Sequence, residues 1–229
     1  MAVKSAPRVR SDALPLRTFR SQGRPAAIAG LGVEIPEKVL TNQDLEQMVD
    51  TSDQWIVERT GIRRRHIAEP GTTTFSLATS AARAALQAAG LKPDELDMIL
   101  VATSTPDGPF PSTACRVQEQ LGAHGCAAVD MLAACSGFIY ALSAADAYVS
   151  SGRADTVLVI GAEVLSRLVD WTDRGTCVLF ADGAGAAVVR PAQHGAGFSA
   201  WCMGADGRGY DQITYGDPIT GAYSSADPS

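Results

Sequence analysis

Residues 130–142 read DMLAACSGFIYAL, and the fold turns on how they are read. Residues 126–132 (CAAVDML) have the short apolar run of a strand, and residues 136–150 (SGFIYALSAADAYVS) have the composition of a helix. Cys135 stands where the two meet. A thiol at a helix N-terminus faces unpaired backbone N–H groups and the positive end of the dipole, and both favour thiolate over thiol. Ala133 and Ala134 leave the approach uncrowded, and Gly137 allows close backbone contact. The alternative reading is a buried cysteine acting as a small hydrophobe. Phe138, Ile139, Tyr140, Leu142, Tyr148 and Val149, with the alanines between them, cover every face of the helix, and Asp146 is its only formal charge. A helix apolar all round is expected to be buried on all sides, between layers. A cysteine at its tip then lies at the floor of a pocket or inside a core. In a core the free N–H groups need other partners; in a pocket a ligand carbonyl supplies one.

Working outward, residues 26–33 (AAIAGLGV) read as a first strand. Thr41 and Asn42 are candidate caps for a helix running to Asp50, and Ser52 or Asp53 for a second short helix carrying Trp55. Residues 74–89 form an amphipathic helix stopped by Gly90 and Pro93. MILVAT at 98–103 and TVLVIGAE at 156–163 are continuous apolar strands, and VLFADG and AGAAVVR predict two more. A Pro-rich loop and a helix over 112–121 precede the cysteine strand. Asp182-Gly183-Ala184-Gly185 reads as a tight turn using glycine's backbone freedom, and Cys177 as core just before a strand. Strands that alternate with helices and are apolar without alternation predict a parallel sheet covered on both faces. A helix buried between layers adds more than three layers.

The chain has 229 residues, of which 46% are hydrophobic, enough for a sizeable core in one or two domains. Its formal net charge of -6 argues against a nucleic-acid partner. No apolar run approaches the roughly 20 residues of a membrane span. The five cysteines make no C-x-x-C pair, and with three histidines in all a metal site is not expected. An odd cysteine count fits a reducing compartment, hence the cytoplasm. The first 25 residues are rich in Arg, Ser and Pro with one acid, Asp12. They read as a disordered tail, or alternatively as a transit peptide for a plastid or mitochondrion.

Four stretches together carry a resemblance: DMLAACSGF at 130–138, TSDQWIVERTGIRRRHIA at 51–68, DWTDRGT at 170–176 and FADGAGAAVV at 180–189. In this order they resemble the beta-ketoacyl-acyl carrier protein synthase III enzymes, from about residue 26 to about residue 210. The resemblance implies an α/β, thiolase-like layered fold in which two similar halves stack as helix, sheet, helix, sheet, helix. Residues 26–203 would be the N-terminal half and 204–229 the loop-like start of a truncated second half, after the tail 1–25. It implies Claisen condensation of an acyl-CoA primer, acetyl-CoA as first expectation, with malonyl-acyl carrier protein to initiate fatty-acid synthesis. Cys135 would be the nucleophile. Trp55 and Arg174 resemble the pair that stacks on the coenzyme A adenine. Arg59, one helical turn from Trp55, would meet a phosphate, and Thr51 would hydrogen-bond near the adenine. Ordinary packing for Trp55, and a salt bridge from Arg174 to Asp170 or Asp173, are the alternatives. Phe110, at the tip of the Pro-rich loop, would close the acyl pocket of a neighbouring subunit in a homodimer, with Leu165 and Phe180 lining that pocket. Acyl-CoA is a substrate, and no cofactor is implied.

The same resemblance implies a catalytic histidine and asparagine that these residues do not match. His66, His124 and His194 stand outside the family's histidine motif, and Asn42 is the only asparagine. The chain therefore reads as part of a synthase, expected to be inactive in condensation on its own. Rival readings are an inactive fragment, a non-catalytic interaction protein, or a related polyketide or quinolone condensing enzyme.

Overall fold

The computed structural model describes residues 2–3, 17–21, 23–192, 196–210 and 213–215. In chain order the elements are β1 (Ala2–Val3), β2 (Arg17–Arg20), β3 (Ala26–Glu34), β4 (Val39–Thr41), α1 (Asn42–Glu46), α2 (Asp53–Thr60), β5 (Arg64–His66) and α3 (Thr74–Ala89). There follow β6 (Met98–Ala102), α4 (Thr113–Leu121), β7 (Ala127–Met131), α5 (Gly137–Ser150), β8 (Val157–Val164), β9 (Asp182–Pro191), β10 (Ala200–Met203) and β11 (Ile213–Thr214).

The central sheet has the order β3-β9-β8-β6-β7. Strands β7, β6 and β8 run parallel, whereas β9 is antiparallel to β8 and β3 to β9. The wholly parallel sheet expected from the apolar runs is thus a mixed one. Both faces are covered, so the strands lose polar alternation whichever way they run. Ile99 and Val101 face α3 and α4, while Leu100 and Ala102 face α5.

Helix α3 lies unusually close to β3. A Cβ on Gly32 would stand 2.2 Å from the Ala81 carbonyl oxygen, and one on Gly30 2.5 Å from that of Ala85. Only glycine permits this approach, and the alanines of α3 complete it. The helix begins with a capping box between Thr73 and Ser76 and ends at Gly90, φ 68°. Two carboxylates also hold helix starts: Asp107 accepts from Thr74 and Phe75 N–H of α3 at 2.9 Å each, and Asp130 from Thr113 and Ala114 N–H of α4 at 2.7 Å each.

Several expectations need correction. Helix α5 is not buried on all sides. It sets Ala141, Leu142, Ala145 and Val149 against the sheet and leaves Ile139, Ala147 and Tyr148 exposed. The described residues make three layers, with α3 and α4 on one face and α5 on the other, and the outer face of α5 meets only the β2–β10 pair and its flanking residues. The 1–25 tail stops short as well. Strand β2 pairs with β10, Ser21 donates to Asp146, and Arg24 donates to the Val149 and Ala154 carbonyls at 2.6 Å each. Residues 1, 4–16 and 22 lie outside the described residues. Residues 178–180 form no strand, and the segment expected as a tight turn, 182–185, is instead the start of β9. Its Asp182 side chain explains the straight path: it accepts from Ala68 N–H and from Ser166 N–H and Oγ–H, fastening the strand to two loops. Helix α1 stops at Glu46, short of Asp50. Its cap is Thr41, in a box with Asp44, and Asn42 is fully buried instead.

A smaller core lies beside the sheet. Leu45, Ile56, Val169, Cys177 and Val178 are buried together, with Trp55, Trp171 and Phe180 packed against them. It joins α1 and α2 to the chain between β8 and β9.

Candidate active site

Cys135 occupies the middle of a single 3-10 turn, Ala134–Ser136, between β7 and the first residue of α5. It is exposed. Ala134 before it has φ 43°, in the left-handed region that the other described non-glycine residues avoid. Such a conformation is strained for an alanine and persists because its surroundings enforce it. Gly137 starts α5 against the sheet, a Cβ there lying 3.1 Å from the Ala102 Cβ. The turn therefore lifts the cysteine to the C-terminal edge of the parallel strands, at the head of the helix. The thiol is accessible, and the core alternative for Cys135 fails. Cys126 and Cys177 are the buried pair, and burial pushes both thiols up. Cys115 and Cys202 are exposed.

Three of the sequence-predicted residues meet at the indole of Trp55. The Arg59 guanidinium carbon lies 4.8 Å from the ring centroid, and that of Arg174 4.6 Å. Ser52 caps α2, its hydroxyl accepting from Trp55 N–H at 3.1 Å, so Trp55 and Arg59 share a helix face one turn apart. Arg174 arrives from the other side of the small core. Asp170 accepts from Thr172 N–H at 2.9 Å and Asp173 from Gly175 N–H at 2.8 Å, two successive side-chain-closed turns that present the arginine between them. Its ion-pair partner is Asp50 at 3.5 Å, not Asp170 or Asp173. Thr51, two residues before α2, has a buried Oγ1 with no hydrogen-bond partner among the described residues. Two guanidinium groups gathered on one indole make a flat, cationic surface of the kind that suits a heterocycle bearing phosphate groups.

Phe110 is 83% exposed at its loop tip. Leu165 opens a 3-10 turn directly after β8, and Phe180 packs on the small core; both are half-buried. His66 Nδ1 lies 2.6 Å from the Pro36 carbonyl, His124 is exposed near Glu119, and His194 lies outside the described residues. Among the described residues no group of three His, Cys, Asp or Glu is placed to hold a metal ion. No helix of the described residues is long and apolar enough to cross a membrane.

Two residues at this site escaped the sequence reading. Arg65 and Asn42 are both buried, and they bond to each other. A third, Glu163, accepts from Ser104 N–H at 2.7 Å and Thr105 Oγ–H at 2.6 Å, and burial raises its carboxyl above the ordinary range despite those bonds.

The fold that carries this arrangement is shared. A crystal structure of 3-oxoacyl-[acyl-carrier-protein] synthase III from Aquifex aeolicus superposes with a TM-score of 0.72 at 59% identity, over 73% of this chain and 54% of that one. The fold is thiolase-like. The model of the 3-oxoacyl-[acyl-carrier-protein (ACP)] synthase III family matches residues 129–207, the stretch from β7 through Cys135 to beyond β10. The beta-ketoacyl-[acyl-carrier-protein] synthase III of Sinorhizobium medicae is 58% identical over 175 residues, 76% of this chain and 54% of that protein. That of Thioalkalivibrio sulfidiphilus is 53% identical over 199 residues, covering 87% and 62%. The chain belongs to the beta-ketoacyl-[acyl-carrier-protein] synthase III family, and it spans little more than half the length of the curated relatives it matches.

Proposed function

We propose that the protein transfers an acyl group from acyl-coenzyme A to Cys135, the first half-reaction of a condensation with malonyl-acyl carrier protein that these residues do not complete on their own. The observation that carries this reading is the exposed Cys135, set on a strained turn at the head of α5. Its sulfur attacks the thioester carbonyl carbon. The carbonyl oxygen becomes an oxyanion, for which the Cys135 backbone N–H is one candidate donor. The carbon–sulfur bond to coenzyme A breaks, and that thiolate leaves and takes up a proton. In the second half-reaction malonyl-acyl carrier protein loses carbon dioxide. The resulting carbanion attacks the acyl carbon and releases Cys135, giving a 3-oxoacyl product. The cleft of Trp55, Arg59, Arg174 and Thr51 holds the nucleotide end of coenzyme A. Leu165 and Phe180 line the acyl pocket, and Phe110 of a second copy closes it. That role is supported by the exposure of Phe110 and implies a homodimer. The free thiols support a cytoplasmic setting. Acetyl-coenzyme A is the expected primer, with no bound cofactor.

Condensation calls for a histidine and an asparagine that the resemblance matches to no residue of this chain. The expected outcome with radiolabelled acetyl-coenzyme A is therefore label on wild type, none on Cys135→Ala, and no 3-oxoacyl product when malonyl-acyl carrier protein is added. Equal labelling of wild type and Cys135→Ala would remove Cys135 from the mechanism. Robust 3-oxoacyl product would place the decarboxylating groups among these 229 residues.

A further inference from the structure

Arg65 is 1% exposed, among the largest fully buried side chains of the molecule. Among the described residues no carboxylate lies within ion-pair distance of it. A buried guanidinium must satisfy its donors, and here neutral groups do so. Nε donates to the Val178 carbonyl at 3.0 Å, Nη2 donates to the same oxygen, and Nη1 donates to Asn42 Oδ1. Asn42 turns its other end on α2. Its Nδ2 donates to Asp53 Oδ1 at 2.6 Å and to the Ile62 carbonyl at 3.0 Å. Asp53 is the first residue of α2, and Ile62 follows its last turn by two residues. The amide thus holds both ends of the helix that carries Trp55 and Arg59. Val178 stands four residues beyond Arg174, in the same turn-rich segment.

We propose that Arg65, acting through Asn42 and the Val178 carbonyl, is a positioning residue that sets the Arg174 wall of the nucleotide cleft in register with the Trp55–Arg59 wall. One buried cation grips both walls, and it sits between an amide that relays to Asp53 and a carbonyl on the opposite side. Apolar packing of Ile56, Cys177 and Val178 would hold the walls together without fixing their lateral register. A forked donor bound to two acceptors does fix it. Arg65 itself touches no ligand. This inference rests on the cleft being a coenzyme A site.

The test is a double-mutant cycle read by calorimetric binding of coenzyme A to the 229-residue chain. Arg65→Met is expected to weaken binding about tenfold, the scale of one lost charge-assisted hydrogen bond. In an Arg174→Ala background the same change is expected to cost less than about twofold, because the wall it positions has lost its contact group. A general loss of folding would multiply through both backgrounds, and that result would overturn the proposal. Binding by Arg65→Met equal to wild type would overturn it too. If Arg65→Met does not fold, Arg65→Lys is carried through the same cycle. It keeps the buried charge but cannot fork to both acceptors, so weakened binding that vanishes with Arg174→Ala is again expected, and wild-type binding again overturns. Wild type that fails to bind coenzyme A at all would instead bring down the functional reading of the cleft.

Discussion

At the scale of single residues, chemistry at this site comes from groups held where they are not most comfortable. Ala134 takes a positive φ so that Cys135 stands clear of the sheet, and Glu163 holds the Ser104 and Thr105 donors of one loop at the cost of solvation. The pH behaviour of Glu163 follows from its burial. Its folded-state value lies above the unfolded one, so folding favours the protonated form. That contribution is present below the unfolded value and lost as pH rises through the folded one. Glu163→Gln removes the titration and keeps an acceptor for Ser104. The melting temperature of the variant relative to wild type should therefore climb as pH rises from the ordinary glutamate range through the raised folded-state value. A difference that is flat or falls would show that the hydrogen bonds, not burial, set its state. Cys135 was legible from a strand-to-helix junction, Trp55 and Arg174 through the family resemblance, and Arg59 from its i, i+4 spacing to Trp55. Arg65 and Asn42 were not. An arginine in an Arg-rich stretch ordinarily reads as solvent-facing, and its Val178 partner is 113 positions away.

At the scale of elements, most helices and strands were legible from apolar runs bounded by Ser, Thr and Gly, and α3 agrees at both ends. What was not legible is strand direction. β9 is antiparallel, yet it carries the same continuous apolar text as its parallel neighbours, because burial on two faces erases the alternation that would distinguish them. The glycines of 180–189 misled for a related reason: small residues serve turns and crowded sheets alike. Substitution separates the two uses. Gly32→Ala drives a Cβ into the backbone of α3 and should destabilise by about 3 kcal/mol or more, since neither Ala81 nor Ala85 has a flexible group to move aside. Gly185, paired with Val33 across β3 and β9, has no positive φ, and a Cβ added there would meet nothing within 4 Å. Gly185→Ala should stay within about 0.5 kcal/mol of wild type by chemical denaturation. A strongly destabilised Gly185→Ala would return residues 182–185 to a turn.

For the molecule as a whole, the composition of α5 is explained by a surface the sequence reading took to be interior. Half of that helix faces the sheet, and the rest is apolar and open. Tyr140, Ala144 and Ala147 share a groove there with Phe19, Met131 and Met203. By strand alternation the residues of β3 that do not meet α3 lie on the same side, and Val33 is 66% exposed. Leu132, beside the cysteine turn, is 78% exposed, and Ile139 46%. Apolar side chains this large, gathered on one face, exceed the scattered exposure ordinary for a soluble surface. The 229-residue chain alone should therefore brighten a hydrophobic dye and self-associate as its concentration rises. Combining Val33→Ser, Leu132→Ser and Ile139→Ser should abolish most of the dye response while leaving the melt in place, because none of the three belongs to either of the main buried clusters. A wild-type chain that stays a monodisperse monomer, dark to the dye and with a cooperative melt, would show that this face is covered from within the chain. The apolar wrap of α5 would then be ordinary core, as its sequence first reads.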